Sequence, residues 1–179
     1  LDQISSEAVI NANLEPNNLC VDIGSNDGTL LSCLKKRGMR VQGVEPTNMA
    51  KIAWKQNRIK TKQSFFTELV AKEIVKESGK AKLITFTNVF AHIEDLPILL
   101  ENLSSLIGDS TTLVIENHYL GAILNRNQFD TFDHEHPRTY SLKSLQHVAT
   151  SLGLIITNVE FPSRYGGNIR VTMRKFGKE

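Results

Sequence analysis

The feature that most restricts how this chain can fold is the regular alternation of short apolar runs with amphipathic stretches. Leu19 to Ile23 reads as a buried strand that stops at a glycine turn, and Thr29 to Lys36 follows with Leu30, Leu31 and Leu34 on one helical face. Gly38 closes that helix. The same unit then repeats: strand Met39 to Val44 and helix Asn48 to Gln56, strand Ile59 to Thr61 and helix Glu68 to Lys76, strand Lys82 to Thr87 and helix Leu96 to Leu106, then strand Thr111 to Glu116. Strands separated by helices must run parallel, with right-handed crossovers that lay helices on both faces of one sheet. After Glu116 the pattern breaks, and residues 117–140 carry no clean period. A helix returns over Leu142 to Leu152, closed by Gly153. Leu154 to Glu160 and Asn168 to Arg174 then read as two strands with no helix between them, which makes them antiparallel. The expectation is an α/β, Rossmann-like, doubly wound sheet of seven strands, mostly parallel, with an antiparallel C-terminal hairpin.

Composition narrows the classes of function. The 179 residues are 40% hydrophobic, enough for one domain with a real core. Lys and Arg number 21 against 19 Asp and Glu, a balance that gives no electrostatic case for nucleic acid or an anionic membrane. No run approaches the roughly 20 uncharged apolar residues of a membrane span. Cys20 and Cys33 are the only cysteines, too few for a disulfide scaffold or a four-cysteine zinc site, and both read as reduced core residues. Trp54 and His147, within helical stretches, also read as structural. A single domain over 1–179, in the cytoplasm, is expected, with 117–140 as an inserted substrate-site segment. The chain begins at Leu1 rather than Met, which raises the expectation of a longer parent protein.

The first strand–helix turn, Asp22-Ile23-Gly24-Ser25-Asn26-Asp27-Gly28, points to a cofactor. Glycines there let the backbone approach a ligand beside a helix N-terminus. A dinucleotide site wants Gly-x-Gly-x-x-Gly, whereas here Asn26 stands at the middle position and no third glycine follows in place. Asp22 and Asp27 are awkward neighbours for a pyrophosphate and suit a ligand with ammonium and sulfonium charges. S-adenosylmethionine is such a ligand. Glu45 ends the second strand 21 residues after Gly24, where a carboxylate holds both ribose hydroxyls, and Pro46 stops the strand there.

From Asn18 to Arg174 the chain resembles the class I S-adenosylmethionine-dependent methyltransferases, whose seven-strand sheet ends in an antiparallel hairpin. The resemblance implies that Asp22, Gly24, Ser25, Asn26 and Gly28 line the methionine part of the cofactor and that Glu45 and Pro46 hold the ribose. Adenine would lie near Gln63 to Phe66, with Phe65 in contact, and Asn88 would complete the set. An acidic residue is frequent in that family where this chain has Gln63 and Ser64.

Three more segments follow strand ends on the ligand side of such a sheet: Asn88-Val89-Phe90-Ala91-His92, Asp133-His134-Glu135-His136 and Tyr165-Gly166-Gly167-Asn168-Ile169-Arg170-Val171. Together they resemble runs in the sugar C-methyltransferases that act on nucleotide-linked keto-deoxyhexoses. Asp133 replaces the usual tyrosine, and Tyr165 the usual histidine. Carbon methylation beside a ketone needs a proton removed, and histidine is suited to that task near neutral pH. His136 is the candidate base, with Glu135 orienting it and His92 or Tyr140 donating to the enolate oxygen. Asp133, His134, Tyr140 and Tyr165 are candidate contacts to a nucleotide sugar. No metal is required.

Other readings stay open at this point. His92 could cap the helix that starts near Leu96. His134 and His136, with His118 or Asp133, could chelate a metal. An O- or N-methyltransferase of the same fold, an NAD-dependent or metal-binding module, and a cofactor-binding domain without activity remain alternatives. The sugar enzymes carry a cysteine-rich zinc domain before this region and a further domain after it, so the chain is either the central domain of such an enzyme or a small stand-alone relative, and the absent Met favours the first.

Overall fold

The computed structural model describes residues 1–128 and 137–177. In chain order the elements are α1 (Asp2–Asn11), β1 (Leu19–Ile23), α2 (Thr29–Lys36), β2 (Arg40–Val44), α3 (Met49–Asn57), β3 (Thr61–Lys62), α4 (Glu68–Ser78), β4 (Ala81–Thr87), α5 (Leu96–Leu106), β5 (Ile107–His118), α6 (Leu120–Arg126), α7 (Leu142–Ser151), β6 (Ile155–Glu160) and β7 (Asn168–Arg174). The seven strands form one sheet in the order β3-β2-β1-β4-β5-β7-β6. β7 runs antiparallel to both β5 and β6, slotted between them, and the pairs from β3 across to β5 are parallel. The doubly wound reading holds, with the hairpin folded back into the sheet rather than appended at its edge.

Strand alternation divides the interior in two. Val21 and Ile23 of β1, Ile84 and Phe86 of β4, Leu113 and Ile115 of β5, and Ile169 and Val171 of β7 pack against α4, α5 and α7. Cys20, Leu83 and Val114 point the other way, toward Ile4 and Ala8 of α1, Leu30, Leu31 and Leu34 of α2, and Ala53 of α3. Local signals start the helices. Thr67 accepts from the Val70 N–H at the head of α4, Asp95 from the Ile98 N–H at the head of α5, and Ser141 and Ser144 form a reciprocal capping box at α7.

Four local readings need correction. The third strand is Thr61–Lys62, not Ile59 to Thr61. Arg58 closes α3 in a left-handed conformation, and the Ile59 N–H bonds back to the Ala53 carbonyl, so Ile59 packs under α3 instead of joining the sheet. Trp54 is not core: α3 buries Ala50 and Ala53, which leaves Trp54 on the outer flank, 55% exposed, with the Arg58 guanidinium 5.7 Å from its ring centroid. His147 is likewise exposed. The stretch after β5 is not wholly aperiodic, since it contains α6, whose short length gave little period to read. α1 was not anticipated either.

The buried charge is concentrated at β5 and β7. Glu116, 1% exposed, accepts from Arg170 Nε at 2.7 Å, from Asn168 Nδ2 at 2.8 Å and from Arg164. Arg170 also pairs with Glu7 of α1 and Glu160 of β6. Burial works against the Glu116 charge, but the Arg170 and Asn168 hydrogen bonds hold its carboxyl below the usual range. Removing one partner of such a buried pair leaves an uncompensated charge. Arg170→Met should therefore lower unfolding free energy in urea by about 3 kcal/mol. A change under about 1 kcal/mol would mean that the cluster does not support the sheet.

Candidate cofactor and acceptor site

The turn after β1 is built for close approach. Gly24 has φ +73°, and a Cβ there would sit 2.4 Å from a methyl carbon of Val89, so only glycine fits. Asn26 takes the left-handed conformation, φ 49°, that the missing middle glycine would have supplied, and asparagine is among the few residues that tolerate it. The Asp27 carboxylate accepts from the Thr29 N–H at 3.0 Å and from the Thr29 hydroxyl at 2.7 Å. It thereby takes the helix amide that a pyrophosphate would need, which is a structural reason why this turn is a poor dinucleotide cradle.

Glu45 is buried at the end of β2. Its Oε2 accepts from the Asn26 N–H at 3.0 Å and its Oε1 from the Thr47 N–H at 2.9 Å. Those bonds lock the carboxylate between the two turns and leave each oxygen a further lone pair. Asp22 is 3% exposed and accepts from the Thr85 hydroxyl at 2.6 Å. Burial pushes its carboxyl up to about 7; the Thr85 bond opposes this, and the Glu45 charge adds to it. Ser25 is also buried, and its hydroxyl has no partner among the described residues.

Beside this turn lies a cavity of about 470 Å³. Its walls include Ile23, Gly24, Val44 and Pro46 from the β1 and β2 ends, Ser64, Phe65 and Phe66 after β3, and Val89 and His92 after β4, with Ile98, Leu99 and Asn102 of α5 behind. Phe65 is 74% exposed at its rim. An apolar slot beside a glycine turn, next to the strand end that carries Glu45, matches a ligand with a flat base and a ribose. The residues present fit S-adenosylmethionine.

On the acceptor side, Asn88 is left-handed, φ 55°, and its N–H bonds to the Glu116 carbonyl at 2.8 Å. The Asn88 side-chain oxygen accepts from Asn168 Nδ2 at 3.0 Å. His92 ends a 3-10 turn, Phe90–His92, and faces the cavity; the α5 cap is Asp95, so the capping reading of His92 is set aside. Tyr140 is buried against Phe90, ring centroids 5.2 Å apart. Its hydroxyl has no partner among the described residues, and burial pushes its pKa up to about 12, so it stays a protonated donor near neutrality. Tyr165 stands at the hairpin tip. Asp133, His134, Glu135 and His136 lie outside the described residues, and no metal-holding group of His, Cys, Asp or Glu occurs among the described ones.

A family model described as a methyltransferase domain matches residues 6–159. The chain belongs to the methyltransferase-domain family. Its sheet order and glycine turn are those of the class I, S-adenosylmethionine-dependent kind. The C-methyltransferase NovU of Streptomyces niveus is 36% identical over 159 residues, which are 88% of this chain but 38% of NovU. The chain thus spans about two fifths of that relative's length. Among solved structures, the magnesium protoporphyrin IX methyltransferase of Synechocystis PCC 6803 with bound SAH superposes with a TM-score of 0.71 at 17% identity, covering 97% of this chain and 81% of that one. A sarcosine dimethylglycine methyltransferase homologue from Galdieria sulphuraria reaches 0.74 at 13% identity, covering 97% and 84%. No helix among the described residues of the methyltransferase domain is long and apolar enough to cross a membrane.

Strand pairing could have located one residue that sequence reading missed: Thr85 lies opposite Asp22 in the β1–β4 register. Val89, which defines the need for Gly24, was named only as part of a motif. A pH effect follows from Asp22. Its folded pKa, about 7, lies above the ordinary carboxylate value of 3.8. Between those values the folded state holds the extra proton, so this group's contribution is full below about pH 4 and is lost as pH rises through 7. Asp22→Asn keeps the Thr85 bond without the charge. Wild type should lose more urea stability than this variant between pH 5 and 8, by up to about 3 kcal/mol. Equal slopes would show that Asp22 is not held neutral.

Proposed function

We propose that the chain transfers a methyl group from S-adenosylmethionine to a carbon beside the ketone of a nucleotide-linked deoxysugar. The observation that carries this reading is the 36% identity to a protein named a C-methyltransferase, over 88% of the chain. The position of His92 on the wall of the cofactor cavity supports it.

In this reading Gly24, Ser25, Asn26 and Gly28 bound the methionine end of the cofactor, and Asp22 gives up its proton as the ammonium binds and then balances that charge. Glu45 and Pro46 hold the ribose, and Phe65 covers the base. When bound, S-adenosylmethionine supplies an electrophilic methyl on its sulfonium. The chain's own work is on the acceptor. His136 accepts the proton from the carbon beside the ketone, and Glu135 orients the imidazole. His92, on the cavity wall, donates to the oxygen on which the enolate charge develops, a placement that lowers the barrier because it meets charge as it forms, whereas the Tyr140 hydroxyl is buried in the core. Asn88, fixed by Asn168, sets the floor between cofactor and acceptor. Asp133 and His134 contact sugar hydroxyls.

Proton removal can be followed apart from methyl transfer. In deuterated buffer, with a nucleotide-linked keto sugar and S-adenosylhomocysteine present, wild type should exchange the proton at the carbon beside the ketone. His136→Ala should slow that exchange by about 10²–10⁴-fold while S-adenosylhomocysteine binds as before. Exchange that persists in the variant would remove His136 from the role of base.

A further inference from the structure

Neither backbone preference nor burial accounts for Tyr165. It sits at the tip of the β6–β7 hairpin with φ 51° and ψ 35°, a left-handed conformation that costs a side chain of this shape about 1–2 kcal/mol. Gly166 follows immediately and could take such a conformation freely. Tyr165 is also 65% exposed, so its ring gains little from the core. Strained residues cluster where ligands bind.

The surroundings of the ring are cationic and rigid. The Arg164 guanidinium lies 5.9 Å from the Tyr165 centroid while it also bonds to Glu116. The His118 ring lies 6.1 Å away at the end of β5. Arg126, exposed at the end of α6, donates to the Gly166 carbonyl at 2.6 Å, which leaves most of its five N–H donors for other partners. A Cβ on Gly166 would lie 2.1 Å from Gln128 and one on Gly167 2.6 Å from Ala122, so the tip is seated directly on the α6 region. Asn168 lies three positions after Tyr165, a reach of at most about 11 Å. Asn168 in turn bonds to Asn88, the residue before Val89 on the cavity wall.

We infer that Tyr165, Arg126 and Arg164 form a preformed shelf for the nucleoside diphosphate part of the acceptor, the base stacking on the Tyr165 ring and the diphosphate meeting Arg126. The inference rests on the reading of the acceptor as a nucleotide-linked sugar and gives that sugar's carrier a place. An aromatic face takes any base, and an arginine fork suits a phosphate oxygen pair. A carrier held on the shelf directs its sugar toward Asn168 and the cavity.

The test is calorimetry on the whole chain with uridine diphosphate, thymidine diphosphate, inorganic pyrophosphate and S-adenosylhomocysteine. Tyr165→Asn removes the ring but suits the left-handed backbone, and Tyr165→Phe keeps the ring. Wild type should bind both nucleoside diphosphates more tightly than pyrophosphate. Tyr165→Asn should weaken them about 10-fold or more, and Tyr165→Phe should stay within about 3-fold. Arg126→Gln should weaken pyrophosphate and nucleotides alike. S-adenosylhomocysteine affinity should be unchanged in all three, which shows the fold intact. Undiminished nucleotide binding in Tyr165→Asn would overturn the shelf alone. Failure of wild type to bind either nucleotide while it binds S-adenosylhomocysteine would overturn the nucleotide-sugar reading, and the shelf with it.

Discussion

The acceptor half of the molecule depends on one buried carboxylate. Glu116 lies on β5 in the middle of the sheet, where a lone charge would be strongly unfavourable. It is tolerated because the returning strand β7 brings Arg170 and Asn168 to it and the hairpin brings Arg164. Arg170 reaches on to α1 through Glu7 and to β6 through Glu160, and Asn168 reaches Asn88 at the β4 exit. A single satisfied charge thereby ties the first helix, the last hairpin and the loop that carries Val89 and His92. Because these bonds are directional, they favour one register of β7 over a slipped one, which hydrophobic alternation alone would specify less sharply.

The cofactor half follows from the geometry of two strand ends. The Glu45 carboxylate is clamped by the amides of Asn26 and Thr47, so the turns after β1 and β2 are held relative to each other before any ligand arrives. Gly24 is required by Val89, a residue positioned by the Asn88–Asn168 bond, so the two halves meet at this contact. Asp27 occupies the helix N–H that a pyrophosphate would use. With the Glu45 carboxylate buried beside the turn and Asp22 able to ionise when a cation arrives, the site favours a cationic ligand over an anionic one.

Most of this arrangement was legible in the chain, because apolar periodicity and glycine turns act locally. The five parallel strands, the helices between them and the final hairpin are visible as runs of Leu, Ile and Val at period 2 or 3.6. The place of Glu45 at the end of the second strand was legible by its spacing from Gly24. What escaped was set by tertiary contact. Ile59 looks like a strand residue until the closure of α3 claims its N–H. Trp54 looks like core until Ala50 and Ala53 take the inward face. The Glu116 network joins residues up to 163 positions apart, and no local pattern carries that. The slotting of β7 between β5 and β6 was hidden for the same reason, since only the antiparallel relation of the last two strands follows from loop length.

A calorimetric titration with S-adenosylhomocysteine and with NAD tests most directly whether the turn between β1 and α2 holds S-adenosylmethionine. Wild type should bind S-adenosylhomocysteine and show no heat with NAD. Glu45→Ala should weaken the former about 10- to 100-fold through loss of charge-assisted hydrogen bonds. NAD binding without S-adenosylhomocysteine binding would contradict the assignment, and an unchanged affinity in Glu45→Ala would contradict the ribose role of Glu45.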